Sequence, residues 1–395
     1  YRWNISIGRV GHATKFEDYM KLPLATIISE SPDHLVQRHE RYLVVFLKTG
    51  HRVLSTSPAQ GGLVETVRYL VNHQSMEASN HNDRFEKIIA LSAQQYHQSV
   101  ADELKIDESL MAMMGTAASM NHVSHVYREY KNLRVDVLVT AGVHGNALRS
   151  GDTSHWAEGK NGNERVDEVG TINTIVLINQ PLLPGAMAKA AMVMTEAKSS
   201  VLQELAVCSR ESTHIATGTG TDQYIIASPV NDKVAALESA SGHLKLGELI
   251  GTAVRDATLE ALRWQSSLER SSTRSVTHAL GRYGLTEQYL FDELKEALPT
   301  TSYELLHDNR TSVLTEPRVV ASAYAFAAVL DRLQYGTLSS TLAAEVIKDQ
   351  AANVAVSVSA QSDRWPEYWK NTEVSPNDLI HSFVSAVAMG WQHKW

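Results

Sequence analysis

Apolar and polar positions along this chain follow two periods, a short one in the first half and a helical one that takes over toward the C-terminus. Residues 24–29 (Leu-Ala-Thr-Ile-Ile-Ser) and 42–47 (Tyr-Leu-Val-Val-Phe-Leu) read as strands, because brief runs rich in β-branched and aromatic residues suit a pleated, buried surface. Lys48-Thr-Gly-His51 then predicts a tight turn into Arg52-Val-Leu-Ser-Thr56, closing a hairpin. Gly61-Gly62 interrupts the pattern before a helix-like run over 63–71. A helix is expected over 85–103, where Ile88, Ile89, Leu91 and Tyr96 fall at mostly helical separations. A second hairpin follows, its arms at 122–128 and 133–139 alternating about Lys131-Asn132.

Beyond a polar excursion at 150–170, a strand is predicted over 171–178, with Pro181 and Pro184 marking a turn into an Ala-rich helix over 186–205. Met187, Ala190, Met194, Ala197, Val201 and Leu205 share one face of that helix, a stripe of the kind that packs into a core. A strand at 223–227 and an amphipathic helix at 245–264 complete this part. After residue 266 strand signals fade, and helices are expected over 286–298, 317–335 and 341–358 before a Trp-rich tail. The pattern predicts an α/β layered sandwich with a mixed, largely antiparallel sheet over 1–265, plus a helical C-terminal region over 266–395.

Composition narrows the possibilities. At 395 residues the chain exceeds the usual single core, and 43% hydrophobic with 20% charged residues is an ordinary globular balance. A net charge of −8, spread along the chain, argues against nucleic acid and against anionic lipid as partners. No apolar run reaches the ~18 residues of a spanning helix, so a cytoplasmic protein is expected. The chain opens on Tyr1 rather than methionine, which leaves room for a removed leader. Cys208 stands alone with no second cysteine nearby, and reads as an idle or buried thiol.

Two segments carry the candidate chemistry: Thr140-Ala-Gly-Val-His-Gly-Asn-Ala147 and Ala216-Thr-Gly-Thr-Gly-Thr-Asp222, each attached to a strand-like run. Gly142, Gly145 and Gly151 bracket Asn146, Arg149 and Asp152. Such glycines let backbone N–H groups approach an oxyanion, although a tight turn with Asp152 as its cap reads the same spacing equally well. In an extended chain Thr217, Thr219 and Thr221 would line one side while Gly218 and Gly220 leave a surface free for a flat ligand. Asp222, closing that row, is a candidate general base; a turn-forming Asp on an edge strand is the simpler account. Glu196 sits mid-helix among apolar residues, where an ionised group needs a partner unless it is exposed. His243, just before a helix, can cap it, ligate or carry a proton. No metal-ligand motif, Walker loop, Rossmann fingerprint or Gly-x-Ser-x-Gly elbow is present.

Taken in order, Val139-Thr-Ala-Gly-Val-His-Gly-Asn-Ala147 with Gly151-Asp152, Gly170-Thr-Ile-Asn-Thr-Ile-Val176, Thr195-Glu-Ala-Lys198, Ala216-Thr-Gly-Thr-Gly-Thr-Asp222 and Gly242-His-Leu-Lys-Leu-Gly-Glu248 resemble the adenosylcobinamide amidohydrolases of corrinoid salvage. Leu54-Ser55, Gly61-Gly62, Asn72 and Met114-Gly-Thr-Ala-Ala118 fit the same pattern, so the resemblance covers roughly residues 40 to 265. It implies cleavage of the amide between a corrin propionate and aminopropanol. It also implies a site drawn from Asn146, Asp152, Asn173, Glu196, Thr219, Asp222 and His243.

On this reading Asp222 or His243 activates water or the Thr219 hydroxyl, backbone N–H groups near Gly142–Asn146 or Gly218–Gly220 hold the oxyanion, and Glu196 orients or protonates. Thr217 and Asn173 contact substrate. The corrinoid brings its own cobalt as substrate, and no resident cofactor or metal is called for. Other readings are an autoprocessed N-terminal-nucleophile hydrolase, an amidohydrolase for another bulky amide, and a module that binds a corrinoid without cleaving it. Trp365, Trp369, Trp391 and Trp395 on the tail offer a surface for a homo-oligomer, with packing onto their own domain as the plainer account.

Overall fold

The computed structural model describes residues 25–75, 88, 90–154, 170–375 and 378–395. The strands in chain order are β1 (Thr26–Glu30), β2 (His34–His39), β3 (Tyr42–Leu47), β4 (His51–Ser55), β5 (Gly62–Val64), β6 (Tyr69–Gln74), β7 (Met111–Thr116), β8 (Ser124–Tyr130), β9 (Leu133–Gly142), β10 (Ala147–Leu148), β11 (Thr171–Ile178), β12 (Gly218–Thr219) and β13 (Gln223–Pro229). They form a five-stranded sheet ordered β1-β2-β3-β6-β7, a six-stranded sheet ordered β5-β4-β13-β11-β9-β8, and the small ribbon β10-β12. Pairing is antiparallel except for β6 with β7 and β11 with β13, so the layered, largely antiparallel α/β sandwich expected from the sequence is the fold.

Side-chain alternation explains the layers. On β9, Val135, Val137, Val139 and Ala141 face the helices Pro184–Glu204 and Lys245–Ser266, while Leu138 faces the other sheet. On β3, Leu43, Val45 and Leu47 face the six-stranded sheet, and Tyr42 and Val44 face the helix Ala93–Leu104. The result is helix, sheet, sheet, helix. The helices from Val276 to Gln392 gather around a further core that includes Phe326, Tyr368, Phe383 and Trp391.

Two sequence expectations are corrected. The segments around Lys48-Thr-Gly-His51 are not a hairpin: β3 lies between β2 and β6, whereas β4 pairs with β13 and β5, so the short link crosses from one sheet to the other. A strand buried along its whole length needs neighbours on both edges and cover on both faces, and β3 finds them where a two-stranded hairpin would supply neither. The hairpin that does form is β2–β3, turning at Glu40 with φ 48. Residues 63–71 are not helical: they run from the end of β5 through a short link into β6, where Val64 and Val71 suit strands and β6 has partners on both sides.

The predicted helix at 85–103 is observed as Ala93–Leu104. It starts there because Ser92 and Gln95 form a reciprocal capping box, at 3.2 and 2.9 Å. The stretches 85–87 and 155–169, and Ile89, lie outside the described residues. The β8–β9 hairpin turns at Lys131 as expected, with φ 55. No helix among the described residues is long and apolar enough to cross a membrane.

Candidate active site

At one end of the space between the sheets the apolar filling gives way to amides and hydroxyls. The inward faces carry Leu138 on β9, Ile175 on β11, Ile225 on β13 and Leu70 on β6. Two residues along each strand, on the same face, stand Thr140, Asn173, Gln223 and Asn72. Thr140, Asn173 and Asn72 are each 1% exposed. Asn72 Nδ2 donates to Thr140 Oγ1 at 2.8 Å, and Asn173 Nδ2 donates to Asn72 Oδ1 at 2.8 Å and to the Gly115 carbonyl at 3.0 Å. The Gly115 amide donates to Gln223 Oε1 at 2.9 Å. Five strands from two sheets (β6, β7, β9, β11 and β13) are thus tied by neutral groups. Asn173 Oδ1 is buried with no hydrogen-bond partner among the described residues, an arrangement that costs about 1–3 kcal/mol unless a donor arrives from outside.

The two Gly-rich segments meet beside this layer. Ala147 pairs with Thr219 and Leu148 with Gly218 in the β10–β12 ribbon. Asn146 Nδ2 donates to the Gly170 carbonyl at 3.0 Å and to Thr221 Oγ1 at 3.2 Å. Asp222 fastens the ribbon to β11: Oδ1 accepts from the Ile172 amide at 2.9 Å and from Thr219 Oγ1 at 2.6 Å, while Oδ2 accepts from the Thr219 amide at 3.0 Å and from Lys198 Nζ. Four donors fill the roughly four lone-pair sites of a carboxylate. This Asp anchors a turn and has no lone pair left over for water.

The glycines serve that packing. A Cβ at Gly218 would lie 2.4 Å from Asp222 Oδ2 and 2.8 Å from Lys198 Nζ, and one at Gly220 would lie 3.0 Å from Asn146 Oδ1. The side-chain-free surface expected over Gly218 and Gly220 is therefore occupied by the protein's own Asp222, Lys198 and Asn146. Nor do the threonines stand in a row facing a ligand. Thr217 Oγ1 accepts from the Ser150 amide at 2.8 Å, Thr219 Oγ1 donates to Asp222, and Thr221 Oγ1 bonds Thr171 Oγ1 at 2.7 Å.

The remaining candidates divide by position. Gly142 ends β9 opposite Thr171, and Gly145 lies in the turn leading to Asn146, both part-buried at the ribbon. Asp152 closes the turn after β10, its Oδ2 accepting from the Arg149 amide at 3.0 Å and from Ser209 Oγ at 2.6 Å. Partial burial works to raise its pKa, but the hydroxyls of Ser209 and Ser212 and the Arg149 amide prevail and hold it below the usual carboxylate value. Glu196 is exposed, so it needs no partner from the protein.

His243 corrects the expected convergence. It is exposed and precedes the helix Lys245–Ser266, whose first residue stands over Tyr130 with Nζ 5.1 Å from the ring centroid. The other end of that helix reaches the site, with Gln265 bonding His122 at 2.9 Å and the Ser266 carbonyl bonding His144 at 3.1 Å. Twenty-two residues of helix separate the two ends, or ~33 Å. Asp222 and His243 share no ligand. Among the described residues no group of three or more His, Cys, Asp or Glu side chains is placed to hold a metal ion. Cys208 is part-buried rather than fully enclosed, and burial pushes its thiol pKa up.

A family model described as adenosylcobinamide amidohydrolase (CbiZ) matches residues 26–270, the stretch that builds both sheets, the ribbon and the amide layer. The chain belongs to the adenosylcobinamide amidohydrolase family. An uncharacterised protein of Methanocaldococcus jannaschii is 30% identical over 244 residues, covering 58% of this chain and 88% of that protein. The crystal structure of a Pyrococcus horikoshii protein covers 60% of this chain and 82% of its own, with 14% identity and a TM-score of 0.27, too slight a likeness to bear on fold or site. Lys198 and Gln223 lie at this corner of the structure and are absent from the sequence-derived candidates. Lys198 was visible only as the last residue of the segment Thr195-Glu-Ala-Lys198, and Gln223 only as the first residue of a strand. Asn72 had a signal, a lone amide in the apolar run Tyr69-Leu-Val-Asn72.

Proposed function

We infer that this protein hydrolyses the amide joining a corrin-ring propionate to aminopropanol in adenosylcobinamide, releasing adenosylcobyric acid and aminopropanol. Water adds to the amide carbon, the C–N bond breaks, and the departing nitrogen takes up a proton. The observation that carries this reading is family membership across the whole region that forms the sandwich and the ribbon. The geometry supports it in three ways. Asn173 Oδ1, buried and unpartnered, suits the N–H of a substrate amide. Lys198, held by Asp222 beside Gly218, is a cation close enough to the ribbon to favour an oxyanion that forms there. Asp222 holds the ribbon rigid rather than acting as the base, a role that follows from its four donors.

Incubation of the whole chain with adenosylcobinamide, followed by mass measurement of the corrinoid, tests the reading. Loss of the aminopropanol mass with appearance of a free carboxylate is expected. A corrinoid that binds and keeps its aminopropanol through prolonged incubation would show a binding module instead, and turnover of a different bulky amide alone would move the substrate and keep the class.

A further inference from the structure

The helices beyond residue 275 lie outside the family match, yet they grip one stretch of the sandwich that leads directly to the site. His278 Nε2 donates to the Leu205 carbonyl at 2.8 Å, and Arg282 Nη1 donates to the Thr213 carbonyl at 2.7 Å. Thr213 Oγ1 donates to Gln334 Oε1 at 2.9 Å, and the His214 ring stacks on Tyr335 with centroids 5.4 Å apart. These contacts fall within 205–214, the connection between the helix Pro184–Glu204 and β12.

That connection in turn holds both Gly-rich segments, the Ala216 amide at the head of the second donating to the Val207 carbonyl at 2.8 Å. Ser209 Oγ donates to Asp152, the Arg210 amide donates to the Ala147 carbonyl at 2.9 Å, and Arg149 Nη1 donates to the Ile215 carbonyl at 3.3 Å. Arg282 is the most constrained member of the set. Its side chain is 7% exposed, and it forks onto Asp331 at 2.6 and 2.8 Å, with the Tyr283 hydroxyl donating to the same carboxylate at 2.7 Å. A planar guanidinium pinned in this way directs its remaining donor with little freedom.

We propose that Arg282 is a positioning residue for the active site: fixed by Asp331 and Tyr283, it holds the Thr213 carbonyl and so sets the 205–214 connection that braces Asp152 and the β10–β12 ribbon. The proposal rests on the ribbon being part of the amidohydrolase site. Loops with few internal partners open locally, and a small misplacement of a site can cost up to a hundredfold in rate.

The test uses the full chain with adenosylcobinamide as probe. Arg282→Met is expected to lower kcat about tenfold or more with a smaller change in KM, Arg282→Lys recovering part of the loss. Gln334→Ala, on the exposed side of the same contact, gives a smaller loss without disturbing the helical core. Amide hydrogen exchange in these variants should quicken over 205–219 and stay slow over 171–178. Folded Arg282→Met with kcat and KM unchanged would overturn the proposal, as would quickened exchange confined to the C-terminal helices. If the parent protein leaves adenosylcobinamide intact, it is the proposed reaction that fails; exchange over 205–219 then decides the positioning role by itself, and unchanged protection there overturns it.

Discussion

At the site end of the space between the sheets, Asn72, Thr140, Asn173 and Gln223 meet as neutral donors and acceptors. At the far end, the same inward faces carry His34 on β2, His51 on β4 and Asp136 on β9, buried at 7%, 3% and 2% exposure. Asp136 is taken up by Arg134 at 2.6 and 2.8 Å and by His125 at 3.0 Å. Both ends solve the problem of ending an apolar sandwich with polar groups, but only one does so without titratable charge. A neutral wall can receive or release an amide without a change of protonation, whereas the far end couples its packing to pH. The ion pair found at the site among the described residues, Lys198 with Asp222, sits outside the wall on the ribbon.

The strongest way to break this contrast is through that pair. Lys198 and Asp222 are 13% and 16% exposed, and removing one partner strands the other, so Lys198→Met or Asp222→Ala is expected to cost about 3 kcal/mol in denaturant unfolding and to abolish turnover. The double variant Lys198→Met with Asp222→Ala should lose less than the sum of the two single changes. Strictly additive losses would mean that the pair does not anchor the ribbon.

Acid titration of stability probes the far end. Burial lowers the His34 pKa to about 4 from 6.5, with Asp136 opposing the shift. Between those two values the unfolded chain binds a proton that the fold does not, and stability falls as pH drops through the window, by on the order of 2–3 kcal/mol. For Asp136, burial alone would raise the pKa, but Arg134 and His125 bring it to about 2 from 3.8. That contribution is present at higher pH and is lost as pH falls below about 4. His34→Gln should flatten the slope between pH 6.5 and 4; an unchanged slope would place the titration elsewhere.

Smaller effects sharpen the neutral wall. Asn72→Ala removes two buried hydrogen bonds and should cost about 2 kcal/mol together with most activity, read by denaturant midpoint and by corrinoid mass. Retained activity would detach the wall from the chemistry. Smallest of all, Glu196→Gln should stay within about 0.5 kcal/mol and leave turnover unchanged, because the side chain is exposed and carries no partner among the described residues.

Much of the fold was legible because period-2 alternation in β8 and β9, the short apolar run of β11 and the apolar stripe of the helix Pro184–Glu204 record local burial directly. The crossing from β3 to β4 was not, since a short turn looks alike whether it joins two paired strands or two sheets; only the distant partners β6 and β13 decide. The site divided in the same way. The meeting of the two Gly-rich segments followed from their strand attachments. The clearance over Gly218, by contrast, depended on Lys198 and Asp222 arriving from elsewhere. His243 was misplaced because a helix start in the sequence does not say at which end of a sheet it lies.

The central claim is that the chemistry belongs to the corner where ribbon, β11 and amide layer join, and its most direct test compares aminopropanol release from adenosylcobinamide by the parent protein, Asp222→Asn and His243→Gln. The account predicts near-complete loss in Asp222→Asn and parent-like release in His243→Gln. Full release by Asp222→Asn with loss in His243→Gln would contradict it and move the site to the other end of the sheet.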